Sequence, residues 1–186
     1  MWLDTERFDL GIQDAARQAG VPWKLLKALV AAESSFDPNA YRDEPKIDDA
    51  SRGLTQILYR TARAMGYLGE PEGLFAPDLN LEYGALYLAR QHDRAGNWLG
   101  ALSAYNGGWR PALGFGEPVQ SEGVRCGGRE VPIGEFCNQA YVDRVTGFWT
   151  YYRTGQLPDG ARVALAGWAP AIMLLVGTAL VGTLAR

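Results

Sequence analysis

The sequence is poor in metal-binding side chains and has no surplus of positive charge. Its 186 residues include one histidine and two cysteines, which excludes a zinc site built from Cys and His alone. Its 18 Lys and Arg residues stand against 21 Asp and Glu residues, for a net charge of −3. Because a nucleic-acid-binding protein is expected to carry a basic surplus, nucleic acid is not a predicted partner. We expect a protein that uses no metal and no other cofactor.

The first ten residues contain Asp4, Glu6, Arg7 and Asp9 where a secretory signal peptide needs an apolar run, so no signal peptide is expected. The length predicts one compact domain with an additional segment. We assign residues 1–154 to the domain, 155–162 to a linker and 163–184 to a C-terminal transmembrane helix.

The transmembrane prediction depends on the absence of charge between Arg162 and Arg186. An apolar helix of about 20 residues spans the hydrocarbon core of a bilayer. Trp168 near one end is typical of an aromatic anchor at the membrane interface. The alternative is a buried core helix, but such helices are usually shorter and carry a polar face.

The domain itself is predicted to be mainly α. Apolar spacing together with glycine and proline breaks predicts helices at about residues 6–19, 22–33, 61–67, 80–95, 97–105 and 138–154. Strand signals are few, and only residues 124–133, interrupted by Gly127-Gly128, predict a small β-hairpin. Cys126 and Cys137 lie near enough in the chain to form a disulfide in an oxidising compartment, and the sequence leaves open whether they do.

Glu33 is predicted to lie at the C-terminal end of the second helix, because Ser34, Ser35 and Asp37-Pro38 end that helix. A carboxylate there meets the partial negative charge of free carbonyl groups and, behind an aliphatic helix face, is poorly solvated. Both effects raise the pKa of the carboxyl group. Glu33 is therefore a candidate proton donor, and the alternative is a solvent-exposed glutamate without a catalytic role.

Five short motifs follow one another along the chain: E33-S-S-F-D-P-N-A, S51-R-G-L-T-Q-I-L58, N80-L-E-Y-G-A-L-Y-L88, A104-Y-N-G-G108 and Y141-V. Taken together, in this order and spacing, they resemble the lytic transglycosylases of the soluble, lysozyme-like type, the SLT domain. The resemblance covers about residues 12–151. It implies a lysozyme-like α lobe with at most a small β-hairpin and a cleft for peptidoglycan glycan strands.

The resemblance also implies roles for particular residues. Glu33 matches the single catalytic acid of the family. The implied substrate-binding residues are Ser51, Gln56, Leu58, Tyr105, Asn106 and Tyr141. Two positions depart from the family pattern: Thr55 replaces a signature methionine, and Cys137 stands where the family tends to have a glutamate four residues before its tyrosine, which leaves Glu135 as a candidate substitute.

The implied chemistry uses one residue as acid and then as base. Protonated Glu33 donates to the bond between N-acetylmuramic acid and N-acetylglucosamine, and the ionised form then accepts the proton of the 6-hydroxyl as a 1,6-anhydro ring closes. A hydrolytic muramidase remains an alternative, with Asp48 and Asp49 as candidates for the second carboxylate that it needs. A charged run more often faces water, however. A third alternative is an inactive, membrane-tethered glycan-binding or structural protein.

Peptidoglycan lies outside the cytoplasmic membrane, whereas the chain shows no export signal, so another carrier is expected. We predict a bacteriophage component that is packaged in the virion, inserts in a membrane through its C-terminal helix and opens the wall during genome entry. Other virion proteins are then candidate partners. A component of a bacterial secretion or conjugation machine is the alternative.

Overall fold

The computed structural model describes residues 5–156, which contain six α-helices and five short strands. The helices are α1 (Asp9–Ala19), α2 (Trp23–Ser34), α3 (Tyr59–Ala64), α4 (Pro77–Ala95), α5 (Trp98–Gly107) and α6 (Gln139–Thr154). The strands are β1 (Tyr41–Glu44), β2 (Asp49–Arg52), β3 (Ile57–Leu58), β4 (Arg125–Cys126) and β5 (Arg129–Glu130). Two 3-10 helices, Pro71–Phe75 and Pro111–Leu113, complete the set.

The mainly helical prediction is confirmed, since each predicted helix is present and its ends lie within three residues of the predicted ones. Glycine residues end three of these helices, as the prediction from glycine breaks assumed. Gly20, Gly96 and Gly155 follow α1, α4 and α6 in the left-handed backbone region, which a residue without a Cβ adopts at little cost.

Helix α2 lies at the centre of the core. Leu25, Leu26, Leu29 and Val30 have no exposed surface, because α2 packs against both α1 and α6. Helices α4 and α5 pack against each other, and α4 also contacts α1. A helix buried on most of its circumference has little freedom to shift, so the position of its C-terminal end, which carries Glu33, is fixed by packing.

Residues 41–58 form a three-stranded antiparallel sheet in the order β1-β2-β3. The prediction of at most one small hairpin is wrong for this segment. Its strands are rich in charge and poor in β-branched residues, so their local signal is weak. Tertiary contacts hold the sheet instead: Ala50 and Ile57 are buried, and the Asp49 carboxylate accepts hydrogen bonds from the backbone of Ala50 at 2.7 Å and Arg60 at 3.0 Å.

The hairpin predicted at residues 124–133 is confirmed, with β4 and β5 paired through Arg125 and Glu130. A disulfide joins Cys126 of this hairpin to Cys137, with 5.7 Å between the Cα atoms. The backbone N–H of Cys137 also donates to the carbonyl of Gly114 at 2.8 Å. The segment that leads into α6 is therefore held from two sides.

No helix within residues 5–156 has the length and apolar character needed to cross a membrane. The predicted transmembrane helix at residues 163–184 and most of the predicted linker lie outside the described residues.

Candidate active site

Glu33 occupies the last turn of α2 and is half-buried. The chain leaves the helix through Ser35 and Phe36, which both adopt the left-handed backbone region, with φ values of 52° and 64°. The hydroxyl of Tyr141 on α6 donates a hydrogen bond of 2.6 Å to Oε1 of Glu33. The carboxyl group is thus held between the end of one core helix and the first turn of another.

Burial raises the pKa of Glu33, which confirms the predicted direction. Loss of solvation is the largest effect, because it disfavours the charged form. The hydrogen bond from Tyr141 and the positive charges of Arg144 and Arg42 act in the opposite sense, without cancelling it. A carboxyl group in this setting can hold a proton at a higher pH than a free one and still be ionised by a modest change in its surroundings.

A cleft of about 270 Å³ is lined by Tyr105, on which the charge of Glu33 acts, whereas Glu33 itself is not part of the lining. Four of the predicted substrate-binding residues line it, together with Ile47 and Tyr87: Gln56, Leu58, Tyr105 and Asn106. They come from the loop before β3, from β3 itself and from the C-terminal end of α5. Two segments about 50 residues apart in the sequence, 56–58 and 105–106, therefore meet around one groove.

The loop that carries Gln56 is built on Asn80, at the start of α4. Oδ1 of Asn80 accepts from the backbone N–H and the hydroxyl of Thr55, both at 2.8 Å, and Nδ2 donates to the carbonyls of Arg52 and Leu74, both at 2.7 Å. Asn80 has no exposed surface. Asn80 belongs to one of the five motifs, but its role in holding the loop was not predicted from the sequence. The only sequence signal for that role is a polar amide at a position that faces the core on a helix.

The same network accounts for two further residues of the loop. Thr55, which replaces the family methionine, is fully buried and uses its hydroxyl on Asn80. Gly53 has φ +68°, and a Cβ there would lie 2.4 Å from Nδ2 of Asn80, so only glycine fits. The side chain of Gln56 is itself tied down, since Nε2 donates to the carbonyls of Ala40 at 3.0 Å and Gly53 at 3.1 Å.

Tyr105 connects the cleft to Glu33. Its hydroxyl donates to the carbonyl of Thr55 at 2.9 Å, and its ring packs against Tyr87 with 5.1 Å between centroids. Burial, and secondarily the negative charge of Glu33, raise the pKa of Tyr105 well above its usual value. The phenol therefore remains a neutral hydrogen-bond donor at working pH.

Two predicted substrate-binding residues lie apart from the cleft lining. Ser51 is buried in β2, and its hydroxyl donates to Oε1 of Glu44 at 3.4 Å. Tyr141 is buried against Glu33. Sugar binding by Ser51 and Tyr141 stays a prediction, and the contact that the structure shows for Tyr141 is with the carboxyl group.

The two aspartates considered as second carboxylates differ from each other. Asp48 is exposed, as expected for a charged run. The Asp49 carboxylate is only 7% exposed and pairs with Arg52 and Arg60. Burial would raise the pKa of Asp49, but hydrogen bonds from the backbone of Arg60 and Ala50 and from the Arg52 side chain lower it overall. Within residues 5–156, no three acidic, His or Cys side chains are grouped so as to hold a metal ion.

The family model of the transglycosylase SLT domain matches residues 11–113. The chain belongs to this family. The matched part of the SLT domain contains Glu33, Gln56 and Asn106, whereas α6 with Tyr141 follows it.

Individual relatives agree with this assignment. The chain is 32% identical over 105 residues to membrane-bound lytic murein transglycosylase F of Alcanivorax borkumensis. The aligned region covers 52% of this chain and 20% of that protein. The protein of the same name from Stutzerimonas stutzeri is 30% identical over 112 residues, 55% of this chain and 21% of its own length. The chain thus spans about a fifth of the length of these curated relatives.

The SLT fold extends beyond the region matched by sequence. The solved complex of the 70-kDa soluble lytic transglycosylase with bulgecin A superposes with a TM-score of 0.61 over 80% of this chain and 24% of that chain. The sequence identity is 21%. The likeness shows that the mainly helical, lysozyme-like SLT fold covers more of this chain than residues 11–113.

Removing the hydroxyl that contacts Glu33 should change the pH dependence of the site. Because the hydrogen bond from Tyr141 lowers the pKa of Glu33, Tyr141→Phe should raise that pKa further. We expect the pH profile of kcat/KM for glycan cleavage to move to higher pH, with a loss of about tenfold at the wild-type optimum. Tyr151→Phe, a half-buried tyrosine later on the same helix, is the control. An unmoved profile in Tyr141→Phe would show that the hydrogen bond does not tune Glu33.

Proposed function

We propose that this chain is a peptidoglycan lytic transglycosylase that cleaves the β-1,4 bond between N-acetylmuramic acid and N-acetylglucosamine and leaves a 1,6-anhydro product. The observation that carries the proposal is one glutamic acid, Glu33, whose pKa is raised by burial and whose charge acts on Tyr105 in the lining of the cleft. Family membership and the two lytic murein transglycosylase relatives support the substrate and the reaction.

In the first step Glu33 acts as a general acid. Tyr141 donates to Oε1, so the proton of the carboxylic acid is carried on Oε2. Transfer of this proton to the glycosidic oxygen breaks the bond to the anomeric carbon, and the N-acetyl oxygen of the muramic residue forms a bond to the same carbon. The leaving sugar departs as an alcohol, and Glu33 is left as a carboxylate.

In the second step the Glu33 carboxylate acts as a general base. It takes the proton of the muramic 6-hydroxyl while that oxygen attacks the anomeric carbon and displaces the N-acetyl oxygen. The ring closes, Glu33 is protonated again, and no water is consumed. The hydrogen bond from Tyr141 and the charges of Arg144 and Arg42 favour the carboxylate that forms between the two steps.

The hydrolytic alternative needs a second carboxylate to activate water on the opposite face of the sugar. Of the two aspartates that the sequence suggested, Asp49 is engaged by Arg52 and Arg60 and Asp48 is exposed. This arrangement favours the route in which the substrate supplies its own nucleophile.

The products of peptidoglycan digestion test the proposal. Purified sacculi should release muropeptides with 1,6-anhydro ends, detected by mass spectrometry. Muropeptides with reducing ends would identify a hydrolytic muramidase instead. No release, with glycan binding retained, would identify an inactive binding or structural protein.

We further propose that the protein is associated with a bacteriophage virion, is held in a membrane by a helix at residues 163–184 and opens the host wall during genome entry. The uncharged apolar segment between Arg162 and Arg186 supports the membrane contact. Other virion proteins are the expected neighbours. Immunoblotting of purified particles should detect the protein, and its absence from them would favour a secretion or conjugation machine.

A further inference from the structure

Asn138 joins the start of α6 to the end of α5 that lines the cleft. Its Nδ2 donates to Oδ1 of Asn106 and to the carbonyl of Ser103, both at 3.0 Å. Its Oδ1 accepts from the hydroxyl of Ser103 at 2.7 Å. One amide group therefore ties a cleft residue, Asn106, to a helix that begins 33 residues later in the chain, at Gln139.

The hydrogen-bond network determines which way the Asn138 amide points. The oxygen of the Ser103 hydroxyl accepts a hydrogen bond from the backbone N–H of Gly116 at 3.2 Å, and its proton is donated to Oδ1 of Asn138. The carbonyl of Ser103 can only accept, which requires the NH₂ group of Asn138 on that side. The donor directed at Asn106 is therefore set by two neighbours that do not touch the cleft.

This orientation has a chemical consequence for Asn106. Because Oδ1 of Asn106 accepts from Asn138, the acceptor end of its amide is already used within the protein. The NH₂ end remains for the cleft, which Asn106 lines while exposed to solvent. An amide held in this way presents hydrogen-bond donors, and it suits carbonyl or hydroxyl oxygens of a sugar better than N–H groups.

The backbone next to Asn138 is anchored independently. Cys137 is joined to the β4–β5 hairpin by the disulfide with Cys126, and its N–H donates to the carbonyl of Gly114. Tyr141, which contacts Glu33, follows one turn later on α6. A single anchored segment thus holds both a cleft amide and the catalytic carboxyl group.

We propose that Asn138 is a positioning residue that fixes the Asn106 amide with its NH₂ group toward the cleft, where it donates to an N-acetyl carbonyl or hydroxyl oxygen of the glycan. The inference rests on the proposed function for its substrate class. Asn138 itself touches no substrate, and its effect passes through Asn106.

A double-mutant cycle on substrate affinity tests this coupling. Asn138→Ala and Asn106→Ala should each raise KM for soluble peptidoglycan strands about tenfold and change kcat by less than about twofold, because both weaken binding without touching Glu33. The double variant should be no worse than Asn106→Ala alone, since Asn138 acts through Asn106. Effects on KM that multiply in the double variant would overturn the proposal.

Asn97→Ala is the matched control, because Asn97 caps α5, the helix that carries Asn106. Asn97 caps the opposite end of α5, where Oδ1 accepts from the N–H of Gly100 at 2.8 Å. Its loss should lower the melting temperature, as Asn138→Ala should, but leave KM unchanged. An equal rise of KM in Asn97→Ala would mean that KM reports only the stability of α5, and would also overturn the proposal.

Failure of the proposed function can be told apart from failure of this inference. The same cycle is measured on the dissociation constant for soluble strands in the Glu33→Gln background, which needs no cleavage. Non-additive losses of affinity would support the role of Asn138 even if the wild type released no product. If the losses of affinity are additive while the wild type does release anhydro-muropeptides, only the role of Asn138 is contradicted.

Discussion

Glu33→Gln is expected to lower the rate of glycan cleavage by about 10³-fold or more, since in the proposed mechanism general acid and base catalysis both depend on this one side chain. Glutamine has nearly the same shape, and its amide oxygen can still accept the hydrogen bond from Tyr141. Binding of soluble strands should therefore change little. The measurement is release of anhydro-muropeptides by wild type and variant at equal concentration.

Stability gives an internal check on the same variant. In wild type the pKa of Glu33 is higher in the folded state than its unfolded value of about 4.5, so the folded state binds the proton more tightly. Below that value the carboxyl group is protonated in both states. As pH rises through the window up to the folded pKa, wild type loses stability and Glu33→Gln does not. We expect the melting temperature of Glu33→Gln to equal or exceed that of the wild type at neutral pH. Full glycan-cleaving activity in this variant would refute the role of Glu33.

Asn80→Ala is expected to have the largest effect on stability, with a loss of about 3–5 kcal/mol in the free energy of unfolding. The substitution removes the side-chain partner of the N–H of Thr55 and of the carbonyls of Arg52 and Leu74, while the Thr55 hydroxyl keeps the backbone carbonyl of residue 80 at 3.2 Å. A buried polar group without a partner costs about 1–3 kcal/mol, part of which water entering the site recovers. Urea unfolding measures the change.

The same variant should also lose activity, because the loop that Asn80 holds carries Gln56 into the cleft and provides the carbonyl that Tyr105 contacts. Asn39→Ala removes an identical side chain from an exposed position and should stay within about 0.5 kcal/mol of wild type. A loss below about 1 kcal/mol in Asn80→Ala would show that the loop keeps its shape without this network.

The region around α6 shows how this chain departs from the pattern of its family. Cys137 stands where the resemblance predicts a glutamate, and it forms the disulfide with Cys126. Glu135, the candidate substitute, is exposed. The residues that do reach the site from this segment are Asn138 and Tyr141. The segment is therefore anchored by a covalent link and two hydrogen-bonded side chains.

Helices were predictable from local information. Apolar residues at helical spacing, together with Gly20 and the Ser-Ser-Phe-Asp-Pro stretch after Glu33, predicted α1 and α2 and placed Glu33 at the end of a helix. Motif likeness then brought Gln56, Tyr105 and Asn106 to one cleft, and the structure places all of them in its lining. The signal in each case lies within a few residues of the chain.

The sheet at residues 41–58 and the hydrogen-bond partners within the site were decided by tertiary structure. Half of the residues in the three strands are charged, and the strands pair because Ala50 and Ile57 are buried against the rest of the domain. Tyr141 and Glu33 are 108 residues apart, and Asn138 and Asn106 are 32 apart. Local spacing carries no information on such pairs, because packing of α2, α5 and α6 determines which polar side chains come within hydrogen-bonding distance.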